Sequence, residues 1–203
     1  MDFEPSARAA DLTARVRAFI DHEIAPVEQE YHEQIRRIRE SGGNSWDPLP
    51  VLDGLRAEAR LRGLWNLWLP AGHEGQYAQR FGTDGGVGLS NVDYASVAEQ
   101  TGRSFLAPLV MNCNAPDTGN MEVLLRYGTE QQRAQWLEPL LDGRIRSGYA
   151  LTPPAAAAPD APHFPVVGLR VGRAGGVGRR ERDDEEAVLR ELRRLGEDLR
   201  ERE

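Results

Sequence analysis

The chain has 203 residues, 40% of them apolar, enough to bury a core in one large domain or two small ones. The formal charge is −7, and the excess lies in residues 1–167, with 15 Arg and 22 acids; residues 168–203 carry 10 of each. A net acidic body has no general field that draws in nucleic acid, no run of 18 apolar residues offers a membrane span, and the single Cys113 excludes an internal disulfide and a cysteine-based metal cluster. Every basic residue is Arg, a composition bias that argues against reading each one as a phosphate contact. The opening MDFEPSARAADLT has early acids and no apolar signal region, so a cytoplasmic protein is expected.

Residues 6–40 carry a helical pattern. Leu12, Val16, Phe19, Ile20, Ile24 and Val27 recur at spacings of three and four along one stripe, and Ile35 and Ile38 continue it weakly. Pro26 lacks an N–H and crowds the preceding turn, so a kink or break is expected near Ala25. SGGNSWDPLP, residues 41–50, is a linker. Leu49 to Gly63 reads as a helix with Leu49, Leu52, Leu55 and Ala59 inward, Leu61 as a further inward candidate, and Gly63 as its C-terminal cap. LWNLWLP, residues 64–70, is too rich in Trp and Leu for an exposed loop and reads as a buried turn or extended segment. It lacks the basic interleaving of a nucleic-acid stacking platform.

Residues 71–90 hold six Gly and read as a loop. Its DGGVG run lacks the Gly-Lys-Ser/Thr ending of a phosphate loop and the spacing of a dinucleotide fingerprint. Ser90 or Asn91 caps a helix that ends at Gly102, and Pro108 splits the apolar stretch 104–112. Asp117 or Thr118 is expected to cap the next helix, which turns Met121, Leu124 and Leu125 inward and stops at Gly128. Thr129 and Gln132 stand at the capping-box offset. Trp136, Leu137, Leu140 and Leu141 are expected to be buried in the helix that follows, and Pro139 to kink its end. Ile145 to Thr152 alternates as a strand, with Tyr149 and Leu151 on one face. From Pro153 a Pro-rich and then Gly-rich stretch shows no confident strand, and Arg179–Glu203 has the thin stripe Val188, Leu189, Leu192, Leu195 and Leu199 of a charged amphipathic helix.

His22, His32, His73 and His163 form no ligand-spaced set, and no G-x-S-x-G elbow is present, so neither a metal site nor a hydrolase triad is expected. The segment SGYALTPP is the part that points to a chemistry. A flat ring at Tyr149, a hydroxyl at Thr152 and strand backbone groups suit a planar heterocycle such as a flavin, against the plainer reading of a buried Tyr at a sheet edge.

Several stretches together resemble the acyl-CoA dehydrogenases: Ile24-Ala25-Pro26, the LWNLWLP segment, the block YGTEQQR followed by WLEPLLDG at residues 127–143, and the strand RSGYALT at 146–152. The resemblance covers about three quarters of the chain and implies a mainly α fold. Residues 1–146 would form the family's N-terminal helical domain, 147–160 a remnant of the first strand and loop of its middle β domain, and 161–203 a low-complexity linker and charged helix unrelated to it. It implies an oxidoreductase of fatty acid metabolism that carries out FAD-dependent α,β-dehydrogenation of an acyl-CoA. FAD would be lined by Tyr149, Leu151 and Thr152 and would touch a neighbouring subunit, hence a homo-oligomer. The family's base is a glutamate of a C-terminal domain, so no catalytic residue is assigned here. Departures accompany the matches: Thr152-Pro153-Pro154 stands where the family has Thr-Glu-Pro, and Ala158 and Pro159 replace hydroxyls ahead of Asp160. The expectation is therefore a truncated family chain, inactive alone, with a non-catalytic helical interaction module as the alternative.

Overall fold

The computed structural model describes residues 4–45, 49–69, 77, 80–81, 88–150 and 168–173, with Tyr149, Ala150 and 168–173 described by backbone alone. The glycine-rich loop falls largely outside this set, as do Leu151, Thr152, the proline-rich stretch and the charged C-terminal segment.

Helix α1 spans Ala7–Phe19 and α2 spans Ala25–Glu40. The link between them is a π-helical turn, Ile20–Ile24, whose last carbonyl partner is shifted by one residue, with the Ala25 N–H bonding Ile20 O. The expected kink near Ala25 takes this form. The wider turn accommodates the Pro26 ring without breaking the rod, and Ile20 and Ile24 both stay buried. The same solution recurs before Pro139. A second π turn, Arg133–Leu137, separates α7 (Glu130–Gln132) from α8 (Glu138–Leu141), and the Glu138 N–H bonds Arg133 O.

Helix α3, Pro50–Leu61, buries Leu52, Leu55 and Ala59. Its end is a Schellman motif. Gly63, at φ +68, donates to Arg60 O, and Leu64 donates to Ala59 O at 2.8 Å. Leu61 is 83% exposed, contrary to its inward candidacy, because it falls on the helix face opposite the buried Ala59 stripe. Helix α4 (Asn91–Thr101) is capped by Ser90, whose Oγ accepts from the Asp93 N–H. The short α5 (Ala107–Val110) begins just before Pro108. Helix α6 spans Asp117–Tyr127. Gly128 ends it, where a Cβ would lie 2.5 Å from Leu124 O, and Thr129 and Gln132 complete both halves of the capping box.

Two apolar clusters form the core. One joins α1, the first π turn, α3, Leu64, Leu67 and the region from Leu106 to Met111. The other joins Trp68, Leu69, α6 and the α7–α8 rod. Leu64 to Leu69 is buried at every position and feeds both, as the sequence predicts for LWNLWLP. Tyr94 and Cys113 pack against both clusters. Trp136, predicted as buried, is only partly so, at the edge of the second cluster.

Strand β1, Ile145–Ala150, pairs antiparallel with β2, Gly168–Arg173, Ile145 opposite Arg173 and Ala150 opposite Gly168. The sequence offers no confident strand in the second stretch. Its glycines leave few side chains to display alternation, and the pairing is a backbone matter.

Candidate functional site

The end of the α7–α8 rod is tied down by a buried polar knot. The Trp65 indole N–H donates to Leu141 O at 2.8 Å, and Asn66 Nδ2 donates to the same oxygen at 2.9 Å. Asn112 Nδ2 donates to Asn66 Oδ1 at 2.7 Å and to Leu140 O at 3.0 Å. Asn66 and Asn112 are 0% and 2% exposed, and both adopt left-handed backbone, at φ 56 and 57. Asn tolerates that conformation better than most residues. Gly143, at φ +66, lets the chain turn against Trp65, where a Cβ would meet the ring at 2.8 Å. The Arg60 guanidinium sits 3.6 Å above the same ring.

From that turn the chain enters β1, and its first residues are gripped from below by the start of α6. Asp117 is 1% exposed. Its Oδ1 accepts from the Ser147 N–H at 2.7 Å and from the Ser147 hydroxyl at 2.5 Å. Its Oδ2 lies 2.8 Å from Arg146 Nη2, close enough for an ion pair though not aligned as a hydrogen bond. Arg146 also donates to Asn114 Oδ1 at 2.5 Å, and Asn120 Nδ2 donates to Ser147 Oγ at 2.8 Å. Burial lowers the pKa of Arg146, and the neighbouring Asp117 charge opposes the shift. The mostly buried Arg56 behaves alike, its pKa lowered by burial and raised by Asp53, Tyr31 and Asp117. The expectation that Asp117 or Thr118 caps α6 is corrected. The N-cap position is Pro116 and no side chain caps it. The Asp117 carboxylate is drawn away to a strand thirty residues on.

Of the three residues that the sequence assigns to a cofactor, Tyr149 lies in β1, and Leu151 and Thr152 lie just beyond the described residues. In an antiparallel pair, alternate residues direct their N–H and C=O to opposite edges. The Ser147 N–H is taken by Asp117, so residues 145, 147 and 149 direct theirs away from β2. Tyr149 thus presents its backbone groups on the Asp117 side. Sequence reasoning missed Asp117, Asn120, Asn66 and Asn112. The one available signal was polar residues placed inside otherwise apolar, turn-rich stretches. Among the described residues no helix is long and apolar enough to cross a membrane.

Residues 49–144 match the acyl-CoA dehydrogenase N-terminal domain, and over this part the chain is homologous to the acyl-CoA dehydrogenases. It is 44% identical over 173 residues to Probable acyl-CoA dehydrogenase FadE2 of Mycobacterium tuberculosis, covering 85% of this chain and 38% of that protein. It is 43% identical over 159 residues to human acyl-CoA dehydrogenase family member 11, covering 78% of this chain and 18% of that protein. A solved chain from Mycobacterium abscessus, assigned to the acyl-CoA dehydrogenases, superposes with a TM-score of 0.64 at 49% identity, over 76% of this chain and 36% of that one. The mainly α region therefore has the fold of those enzymes, and the chain spans well under half the length of each relative named. An alignment covering 85% of 203 residues necessarily includes positions beyond Asp160.

Proposed function

We propose that this chain supplies the helical wall of an FAD-dependent acyl-CoA dehydrogenase, an oxidoreductase that removes hydrogens from the α and β carbons of an acyl-CoA thioester. The observation that supports it most is the seating of β1 directly after the matched domain, its backbone oriented by Asp117 and leading into Tyr149, Leu151 and Thr152. Those three residues are the ones that would hold the isoalloxazine. The backbone direction at Tyr149 fits a planar group with donors and acceptors along one edge. Bound FAD supplies the hydride acceptor for such a reaction. The chain's own contribution is to hold, orient and shield.

Turnover also requires a positioned base and the remaining walls of the cleft. The base that the resemblance implies belongs to a C-terminal domain, and the alignment leaves 62% of FadE2 uncovered. On this reading the 203-residue polypeptide binds flavin weakly and does not oxidise acyl-CoA by itself. The test is titration of the purified chain with FAD, followed by flavin fluorescence and by the visible absorption band. Saturable binding without acyl-CoA oxidation is the expected result. A second reading, a non-catalytic helical interaction module, is favoured by the exposed Val123 and Tyr127 on α6. A colourless chain that binds no FAD and takes up a hydrophobic dye would establish it instead.

A further inference from the structure

Asp117 is the one carboxylate in the described structure that reaches from a helix start into the first residues of β1. It satisfies both donors of Ser147 and faces Arg146, and all three residues are at most partly exposed. Asn114 and Asn120 complete the ring, each bonded to one of Asp117's two partners. A carboxylate at the first position of an eleven-residue helix also lies at the positive end of its dipole. The geometry has a directional consequence. With the Ser147 N–H fixed on Asp117, the strand cannot rotate about its axis or slip by one residue. Either movement would send the Tyr149 backbone to the opposite edge.

We propose that Asp117 is a positioning residue. It sets the rotation and register of β1 and, through them, the edge on which the Tyr149 backbone faces the flavin. The second half of the statement rests on the flavin reading above; the first half stands on the contacts alone.

The experiment compares the full 203-residue chain with Asp117→Ala, Asp117→Asn and Ser147→Ala. Backbone amide exchange is measured at residues 147–150 against α1 as an internal reference, and FAD titrations are run in parallel. Asp117→Asn keeps an acceptor for the Ser147 N–H and removes the charge facing Arg146. Asp117→Ala removes both. Expected is a rise in β1 exchange of at least tenfold relative to α1 in Asp117→Ala, with a smaller rise in Asp117→Asn and Ser147→Ala. FAD affinity should weaken in the same order, and the visible flavin band should shift for each variant that still binds. Should Asp117→Ala fail to fold, the other two variants carry the comparison. Unchanged β1 exchange relative to α1 would overturn the clamp. Loosened β1 with unaltered FAD affinity and spectrum would overturn its link to the cofactor. If the unaltered chain binds no FAD, the flavin reading and that link fall together, and the exchange rates still decide whether Asp117 holds the strand.

Discussion

Asn112 occupies a left-handed backbone site and supplies the hydrogen bond that satisfies Asn66 Oδ1. Replacing it by Ala strands that buried oxygen and puts a less tolerant residue at positive φ. The two effects together cost about 2–4 kcal/mol, to be read as a lowered midpoint in urea at unchanged slope. Cys113 behaves differently. Burial pushes its thiol up to about 11, with smaller opposing effects from hydrogen bonds to the Trp68 backbone, Tyr94 and the Leu67 backbone. A folded-state value raised above the ordinary 9.0 means that the native state holds the proton more tightly. The resulting stabilisation is full below about pH 9 and disappears as pH climbs through about 11. Alkaline titration of stability should therefore fall across that window, and the fall should shrink in Cys113→Ala. Tyr94, also raised by burial, adds to it in the same direction.

At the level of elements, α5 is held by a residue remote in the chain. One oxygen of Glu28, on α2, accepts from the Ser104 hydroxyl at 3.0 Å and from the N–H groups of Phe105 and Leu106 at 2.7 and 3.1 Å. The Leu106 N–H is shared with Ser104 Oγ at 3.1 Å, whereas the Phe105 N–H depends on Glu28, and a charged acceptor on such helix-start donors is worth about 2–3 kcal/mol. Glu28→Ala should lower unfolding free energy by about that much, whereas Glu33→Ala, a half-buried carboxylate paired along its own helix with Arg37, should change it by about 0.5 kcal/mol or less; denaturant melts of the two variants make the comparison.

Local chemistry made much of this legible. The Ser90 cap, the Thr129–Gln132 box, the Gly63 end and the burial of Leu64–Leu69 all follow from neighbours within a few residues. The errors share a cause. Asp117 has the local signature of a cap, and only the fold brings Ser147 near enough to compete for it. Pro26 and Pro139 announce trouble in a helix, but whether the answer is a break or a widened turn depends on core residues on both sides needing to stay buried. The left-handed backbone at Asn66 and Asn112 has no sequence pattern at all. The proposed cofactor residues rest mainly on the resemblance: a ring at Tyr149 and a hydroxyl at Thr152 suit a planar heterocycle, but nothing local singles out Leu151.

Across the whole molecule, the two apolar clusters are not independent. Leu64–Leu69 contributes side chains to each, and Tyr94 and Cys113 bridge them. Loss of one cluster would strand buried surface of the other, so cooperative unfolding is expected. Tryptophan emission, to which the buried Trp65 and Trp68 contribute, and far-ultraviolet circular dichroism should give coincident denaturation curves; separated midpoints would show that the clusters melt apart. This cooperation has a geographical limit. Helix α2 runs for 16 residues with none of them buried. Its distal half is stitched by pairs along its own surface: Glu33 with Arg37 at 3.2 Å, and Glu30 with Gln34 at 3.0 Å. Such stitches weaken as dissolved ions gather round them. The outer turns of this helix are thus the portion of the protein whose shape answers to the saltiness of its surroundings, while the interior a few turns away takes no notice.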